Sequence, residues 1–391
     1  MKMAEPVILG AVRTPIGRRG GALRDVTPTR LYAHVLNALI ERSGLQPSRV
    51  DDVVTGCVTQ AGEQGANIGR LGVLLSDLPM TVPATTLSRM CGSSQQAVHF
   101  AAQAVAAGDA QYVVAGGVES MTRTPMFTDL GGGFERLDPD LLAKYELIHQ
   151  GESAERIAAM YGLDRFALDD FSRESHRRAT VAHQEGRFAA QLAPVPGTDP
   201  EGRPFLLTHD EGVRAETSQE AMAALRTVFR PDGVVTAGNS SQISDGAAAV
   251  LVADREIAQA DGFRPRARFC ARVVVGDDPT LQLLGVIPAT QKALARAGLS
   301  LQDIDVVEIN EAFASVVLAW RQELIPAGSA SLFERVNPNG GAIAHGHPLG
   351  ATGAALLTKL LGELERRDAQ FGLQVMCIGH GMATATVIER I

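Results

Sequence analysis

Several features are scarce in this chain of 391 residues, and each absence excludes a class of protein. There is one Trp, and aromatic residues make up only 5% of the chain. No run of about 18 apolar residues occurs, so neither a membrane-spanning helix nor a membrane partner is expected. Arg13 and Pro15 interrupt the only early apolar stretch, which therefore lacks the core of a secretory signal. These absences predict a cytoplasmic protein.

Positive charge is also in short supply. The formal net charge is −8 and the isoelectric point is about 5.6. A protein that binds nucleic acid without sequence preference needs a basic face, because it must displace counterions from phosphate. We therefore expect no nucleic-acid partner, and a ligand that carries phosphate must find local arginine or lysine side chains.

Cysteine is rare and widely spaced. The four cysteines form no CxxC pair and no Cys/His spacing suited to zinc, so no metal site is predicted; they are Cys57, Cys91, Cys270 and Cys377. Hydrophobic residues make up 45% of the chain, which is enough for a large core. A chain of this length exceeds the size at which one core stops growing, so two or three packed units are expected.

Runs rich in Val and Ile alternate with helical patterns, which favours a layered α/β fold. The strand-like runs lie at 6–12, 50–58, 112–118, 248–253, 268–276, 303–310 and 373–389. Residues 83–121 pass from a turn into an amphipathic helix and then into a strand, and residues 336–385 repeat that order. Apolar side chains fall at helical spacing in both helices, at Ala97, Val98, Ala101 and Val105 and at Ala354, Leu357, Leu361 and Leu364. Two similar halves are therefore predicted.

The segment between these halves has a different amino-acid composition. Residues 121–242 are rich in turns, with one charged helical stretch and one stretch rich in Pro and Gly, which indicates an inserted loop domain. We predict an N-terminal half at 1–120 plus 243–264 and a C-terminal half at 265–391. Such insertions carry ligand contacts or oligomer contacts.

Cys91 stands where a helical pattern begins, in SRMCGSSQQAV. The positive end of a helix dipole stabilises a thiolate and can lower its pKa below about 8.5. Gly92 would let a substrate approach the backbone, and the amides there could bind an oxyanion. A buried cysteine at a tight turn would give the same pattern.

Four more polar residues occupy turns or strand ends. His347, between Gly346 and Pro348, suits a base for a distant thiol, and His345 is a rival for that role. Cys377 lies at the end of a strand, where ligands gather in open α/β sheets, and Asn310 follows another strand. Each of them alone could serve packing only.

Together these segments form a recognisable pattern. The motifs CGSS, NEAFA, GHPLGATGA and CIGHG occur in this order, and with VRTPIG at 12–17 they resemble the thiolase family over the whole chain. The resemblance implies the thiolase fold, with duplicated α/β halves in an α-β-α-β-α core and an inserted loop domain. It implies an acyl-CoA C-acyltransferase that cleaves 3-ketoacyl-CoA or condenses acetyl-CoA.

The resemblance also implies roles for individual residues. Cys91 would accept the acyl group as a thioester, His347 would activate it, and Cys377 would move a proton at the α-carbon. Asn310 would hold a water that, with His347, binds the enolate oxygen. The backbone amides of Cys91 and Gly379 would form a second oxyanion hole.

The resemblance also implies which residues contact coenzyme A, in the loop domain and next to it. The resemblance places His149 and Gln150 near the pantetheine, Ser241 as its hydrogen-bonding partner, Phe313 as an apolar wall and Arg214 near the adenine. A solvated surface charge is the alternative for Arg214. Coenzyme A and acyl-CoA are expected as substrates, with no permanently bound cofactor.

The chain departs from the family pattern at His380, which replaces a glycine in CIGHG. His380 could tune the proton affinity of Cys377, narrow the acyl pocket or point away, so the acyl length stays open. The physiological direction also stays open, because the same residues catalyse both directions. We expect a homodimer or homotetramer, with a contact loop that starts at 121–126. A decarboxylating ketoacyl synthase and a non-catalytic lipid carrier are the alternatives, and Cys377 with NEAF argues against the synthase.

Overall fold

The structure is a computed structural model that describes residues 4–391. Residues 1–3, with which the predicted N-terminal half begins, lie outside the described part. The strands are β1 (Pro6–Arg13), β2 (Gly17–Arg18), β3 (Asp52–Gly56), β4 (Ala84–Leu87), β5 (Tyr112–Ser120), β6 (Val195–Thr198), β7 (Pro204–Leu207), β8 (Ser244–Asp254), β9 (Ala267–Gly276), β10 (Val306–Ile309), β11 (Phe371–Ile378) and β12 (Met382–Arg390).

The α-helices are distributed over both halves and the segment between them. They are α1 (Pro28–Ser43), α2 (Ile68–Leu75), α3 (Ser93–Ala107), α4 (Pro139–Lys144), α5 (Gln150–Met160), α6 (Arg165–Gln184), α7 (Gln219–Ala223), α8 (Arg255–Ala260), α9 (Val286–Ala297), α10 (Ala314–Leu324), α11 (Ala330–Glu334), α12 (Ala342–His345) and α13 (Thr352–Arg367). None of the helices within residues 4–391 is long and apolar enough to span a membrane.

The sheet confirms the predicted duplication. Its strands follow the order β4-β3-β5-β8-β1-β9-β12-β11-β10, so the two halves meet where β1 pairs with β9. In the N-terminal half β1 and β8 are antiparallel, β8 and β5 are antiparallel, and β5 and β3 are parallel. The C-terminal half repeats these three pairings with β9, β12, β11 and β10.

Helices α3 and α13 form the central layer. The apolar residues predicted on both helices are buried, and they pack with strand residues of both halves, such as Val250 and Ile388. On the far side of each half, α1 packs on the N-terminal strands, and α9 and α10 pack on the C-terminal strands. This arrangement confirms the α-β-α-β-α order that the resemblance implied.

The predicted strand at 373–389 is wrong in one respect, because it is a hairpin rather than one strand. Strands β11 and β12 pair antiparallel, from Phe371 with Glu389 to Ile378 with Met382. His380 and Gly381 have φ values of 61° and 74°, in the left-handed region that turns a chain back on itself. Residues 379–381 therefore present backbone groups at the end of β11 instead of continuing the strand.

The segment between β5 and β8 holds α4 to α7 and the β6–β7 hairpin. It is anchored to β1 by a buried ion pair, in which the Arg13 guanidinium donates to both oxygens of Asp210 at 2.7 and 3.1 Å. Burial raises the pKa of Asp210, but Arg13 and hydrogen bonds from His183 and His345 outweigh burial, so the pKa lies well below its usual range. The predicted boundaries of this segment at 121 and 242 stay predictions.

We expect Asp210→Ala to lower the free energy of unfolding by roughly 3–5 kcal/mol, because it leaves the buried Arg13 guanidinium without its counter-charge. The shift in the urea midpoint measures this loss. Arg203→Ala is the matched control, because the Arg203 side chain is 70% exposed in its pair with Asp199, and its midpoint should barely move. Equal midpoints for the two variants would contradict the anchoring role.

Candidate active site

Cys91 lies in a tight turn at the start of α3. Met90 has a φ of 44°, which reverses the chain direction just before Cys91, and Gly92 is the residue before the helix. Ser93 holds the turn, because its hydroxyl accepts a hydrogen bond from the Arg89 amide at 3.0 Å and donates to the Met90 carbonyl. A Cβ at Gly92 would lie 2.3 Å from Cδ1 of Ile378, so only glycine lets this turn approach β11.

The predicted lowering of the Cys91 pKa is wrong for the free protein. Burial, followed by the nearby Cys377, raises the Cys91 pKa to about 12. The backbone amides of Cys91 and Gly379 donate towards the sulfur and oppose this rise without cancelling it. The loss of hydration on burial outweighs the stabilisation that these two amides give to the thiolate. Cys91 therefore rests as a neutral thiol.

His347 lies in the turn before α13, and its hydrogen bonds define its tautomer. The Thr352 hydroxyl donates to the Pro348 carbonyl at 2.9 Å, so it accepts from Nδ1–H of His347 at 2.7 Å. The lone pair of His347 is then on Nε2, where the Asn310 amide nitrogen lies at 3.4 Å. Burial lowers the His347 pKa to about 4, so the ring is neutral and can accept a proton.

Asn310 joins His347 to Cys377. The Asn310 amide nitrogen also lies 3.6 Å from Sγ of Cys377, and this hydrogen bond partly opposes burial, which raises the Cys377 pKa to about 11. The Asn310 side-chain oxygen is buried and has no partner within residues 4–391. A buried polar atom without a partner calls for a ligand or a water. The structure thus places two thiols, one imidazole and one amide together.

The rival His345 points elsewhere. Its Nε2 lies 2.8 Å from the Asn339 carbonyl, and its Nδ1 lies 2.8 Å from the Asp210 carboxylate that Arg13 already neutralises. His345 therefore belongs to the anchor of the inserted segment. His347 is the histidine whose ring faces Asn310.

Sequence reasoning missed Glu119, which holds the His347 turn against the Cys91 half. Its buried carboxylate accepts hydrogen bonds from the Gly350 amide at 2.9 Å and from the Val58 and Thr59 amides at 2.9 and 3.1 Å. Gln64 adds a fourth donor at 2.8 Å. A charged residue at the end of the apolar run 112–118 was the available signal.

Glu311, beside Asn310, also holds separate loops together through hydrogen bonds to a buried carboxylate. Its buried carboxylate accepts from the Ser175 hydroxyl at 2.7 Å, the Asn337 amide at 2.9 Å and the backbone amide of Ile343 at 3.2 Å. Ser175 belongs to α6 of the inserted segment. Glu311 therefore links that segment to the loops that carry Asn310 and His347.

His149 contributes to an aromatic wall near the site. Its Nδ1 caps α5 by accepting from the Gly151 amide at 3.1 Å, and burial lowers its pKa. The imidazole stacks on Phe229 with centroids 5.0 Å apart, and Phe229 meets Phe313 edge-on at 6.2 Å. Phe229, which no sequence motif indicated, thus joins two of the residues expected to bind coenzyme A.

Two further residues expected at the coenzyme A site lie close to this wall. The Ser241 amide donates to the Ala312 carbonyl at 2.9 Å, which places Ser241 beside Phe313. Gln150 lines the cavity at Cys91, and its amide nitrogen would lie 2.8 Å from a Cβ at Gly379. Gln150 therefore lies beside Gly379, whose amide donates towards the Cys91 sulfur.

Arg214 is separated from these residues. It is exposed and borders a cleft between α6 and α10, together with Arg173, Arg177 and Arg321. Neither Arg214 nor Arg321 forms an ion pair with a carboxylate in the described part of the chain. Gln242, next to Ser241, donates to the Gly212 carbonyl at 2.9 Å and so ties the loop that carries Arg214 to the segment that carries Ser241.

Comparisons with known proteins agree on one family. The family described as "Thiolase, N-terminal domain" matches residues 6–256, and "Thiolase, C-terminal domain" matches residues 263–390. The chain is 48% identical to a 3-ketoacyl-CoA thiolase of Erwinia tasmaniensis and 45% identical to one of Salmonella typhimurium, with 100% of both chains covered in each case. A crystal structure of the Bacillus anthracis acetyl-CoA acetyltransferase is 37% identical, covers 100% of both chains and superposes with a TM-score of 0.91.

Proposed function

Because the chain belongs to the thiolase family and is an acyl-CoA acyltransferase, we propose that it works through an S-acyl intermediate on Cys91. The reaction is thiolysis of 3-ketoacyl-CoA esters, or its reverse, the condensation of acetyl-CoA. The observation that carries the assignment of residues is the contact of Asn310 with both His347 and Cys377, at 3.4 and 3.6 Å.

Cleavage starts from neutral partners. Cys91 gives its proton to Nε2 of His347 as the sulfur attacks the 3-keto carbon of the substrate. The carbonyl oxygen becomes an oxyanion, and the amides of Cys91 and Gly379 stabilise it, because both already donate towards the Cys91 sulfur. These donors are most effective in a buried site, where water does not compete.

The carbon–carbon bond then breaks. The electron pair of that bond passes to the α-carbon of the departing acetyl-CoA, and the thiol of Cys377 supplies the proton that this carbon needs. The enolate oxygen lies beside His347 and a water held by Asn310, whose buried oxygen has no partner among residues 4–391. His347 then returns its proton to the Cys377 thiolate. Coenzyme A finally attacks the thioester on Cys91, its thiol proton passes by way of His347 to the Cys91 sulfur, and the shortened acyl-CoA leaves.

Coenzyme A lies along the inserted segment in this proposal. His149, Gln150, Ser241 and Phe313 contact the pantetheine, with Phe229 supporting the wall, and Arg214 contacts the adenosine phosphate end. The support is the aromatic stacking of His149 on Phe229, together with Arg214 and Arg321 in the cleft, which pair with no carboxylate in the part of the chain that the structure describes. The proposal keeps 121–242 as the domain that binds coenzyme A, between the halves at 1–120 plus 243–264 and 265–391.

We propose that the enzyme is cytoplasmic, that it forms a homodimer or homotetramer, and that it acts in the β-oxidation of fatty acids. The names of the 3-ketoacyl-CoA thiolases that the chain resembles over its full length support the pathway. The second thiol supports thiolysis over decarboxylating condensation, because Cys377 is buried in contact with Asn310.

We expect Cys377→Ala to separate the two half-reactions. Exchange of α-protons of acetyl-CoA with deuterated water should fall at least about a hundredfold, because the group that moves the proton is gone. Exchange of radiolabelled coenzyme A into acetyl-CoA should continue, because it needs only the thioester on Cys91. Cys91→Ser is the contrasting variant and should lose the coenzyme A exchange. Normal proton exchange in Cys377→Ala would assign that role to another residue.

We also expect Thr352→Val to lower kcat about tenfold with little change in KM, because His347 loses the acceptor that keeps its lone pair on Nε2. Thr352→Ser retains the hydroxyl and should restore kcat. Steady-state kinetics with acetoacetyl-CoA and coenzyme A measure both variants. If Thr352→Val and Thr352→Ser behave alike, the hydroxyl has no part in orienting His347.

A further inference from the structure

Two imidazoles and one carboxylate converge near the turn that carries His347. Nε2 of His183 lies 3.4 Å from Oδ2 of Asp210, and Nδ1 of His345 lies 2.8 Å from the same oxygen. The three atoms all lie within 4.8 Å of one another. Their residues are far apart in the sequence and match no zinc motif, so only the fold brings them together.

The hydrogen bonding of His345 leaves one ring nitrogen without a partner. Nε2 lies 2.8 Å from the Asn339 carbonyl, which can only accept, so Nε2 carries the ring proton. Burial lowers the pKa of His345 to about 4, so the ring is neutral near pH 7 and Nδ1 has a lone pair. Nδ1 is buried and has no hydrogen-bond partner within residues 4–391, and it could donate to Asp210 only as an imidazolium. A lone pair this close to a carboxylate oxygen calls for a cation that both atoms can bind.

His183 offers a second imidazole nitrogen. Its Nε2 is also buried and has no hydrogen-bond partner in the part of the chain that the structure describes. The ring of Phe188 meets the rings of His183 and His345 edge-on, with centroids 4.9 and 5.3 Å apart, and so supports both imidazoles. The His183 side chain is 18% exposed, which gives an ion a route from solvent.

Asp210 keeps one lone pair for an ion. Its Oδ1 accepts from Nη1 of Arg13 at 2.7 Å and from the Ile16 amide at 2.8 Å. Its Oδ2 accepts from Nη2 of Arg13 at 3.1 Å, and the remaining lone pair of that oxygen faces the two imidazoles. Arg13 thus fixes the orientation of the carboxylate, as partners behind metal ligands do, although its charge lowers the affinity for a cation.

The donor set and its geometry suit zinc. Imidazole nitrogens and carboxylate oxygens are ordinary ligands of Zn²⁺. Ligand atoms about 2.0–2.2 Å from one ion lie roughly 2.8–3.6 Å from one another, so the contacts of His183 and His345 with Asp210 already have suitable lengths. The other ring nitrogen of a ligating histidine typically donates to a backbone carbonyl, as Nε2 of His345 does to Asn339.

We propose that His183, Asp210 and His345 bind one zinc ion, with water completing its coordination. The ion joins α6 and the loop after β7, both in the segment between β5 and β8, to the end of α12, two residues before His347. Its role is to hold the inserted segment to the loop that carries His347. The ion takes no part in the chemistry of thiolysis, so the inference is independent of the proposed function.

The first test is zinc binding by the protein after treatment with a chelator. The metal-free protein is equilibrated with zinc chloride, and the bound zinc is counted by elemental analysis after gel filtration. Active-site thiols also bind zinc, so the count is compared between variants. His183→Gln should lose one ion per chain relative to the parent protein and weaken binding at this site at least about a hundredfold, because a ligand is removed.

His34→Gln is the matched control. Nε2 of His34 is likewise buried without a hydrogen-bond partner among residues 4–391, but His34 belongs to no cluster of ligand side chains there. Its zinc count should equal that of the parent protein.

Thermal unfolding measures the structural role. An ion that binds only the folded chain raises the unfolding midpoint as its concentration increases. The midpoint of the parent protein should rise with zinc, and that of His183→Gln should not. A cooperative transition and retained cleavage of acetoacetyl-CoA show that the variant is folded.

Cobalt gives a measurement that needs no variant. Co²⁺ substitutes for zinc, and its absorption spectrum distinguishes nitrogen and oxygen ligands from thiolates, which add strong charge-transfer bands. The parent protein should show the spectrum of a site without thiolate ligands.

The opposite results overturn the inference. A metal-free parent protein that takes up no zinc would leave a shared proton between His345 and Asp210 instead of an ion. An unchanged zinc count in His183→Gln, or a cobalt spectrum with thiolate ligation alone, would assign the metal to the active-site thiols. Zinc that binds at the cluster without moving the thermal midpoint would refute its structural role.

Discussion

The close approach of α3 and α13 is the constraint on which the site depends. A Cβ at Gly353 would lie 2.4 Å from the Gln95 amide nitrogen, and the Ala354 amide donates to the Ser94 hydroxyl at 2.9 Å. These contacts lie in the first turns of the two helices. Because Cys91 and His347 occupy the turns just before those helices, packing the first turns together also brings the nucleophile and the base to one place. Glu119 then ties the loop that carries His347 to the loop after β3, through backbone amides of both halves.

Burial has two opposing effects on this site. It raises the pKa of both thiols and lowers that of His347, so the resting groups are uncharged. It also removes the water that would compete with the amides of Cys91 and Gly379 for a developing oxyanion. Ionising a thiol or His347 is therefore costly in the free protein, whereas a developing oxyanion is stabilised because the amide donors are already in position. This balance suits a reaction in which protons move between neutral partners.

Local patterns in the sequence predicted the parts of the fold that depend on local chemistry. The helical spacing of Ala97 and Leu357 marked two helices that are indeed buried, and the turn before α3 was predicted from Gly92 and the residues around it. The hairpin at 379–381 was missed. His380 has a left-handed φ there, and its amide is held by a tertiary hydrogen bond to Gln282, a residue far away along the chain. The Cys91 pKa was wrong for a related reason, since burial depends on residues far along the chain.

The buried carboxylates show the same limit. Glu119 and Glu311 look like ordinary surface charges in sequence, yet each organises loops from two different parts of the chain. The domain boundaries and the roles of the site residues remain predictions, and the central one is that Cys91 carries the acyl group. The most direct measurement is acid quenching after incubation with acetyl-CoA, followed by peptide mass mapping. The account predicts one acetyl group on the peptide that contains Cys91; an acetyl group on Cys377, Cys57 or Cys270, or none at all, would contradict it.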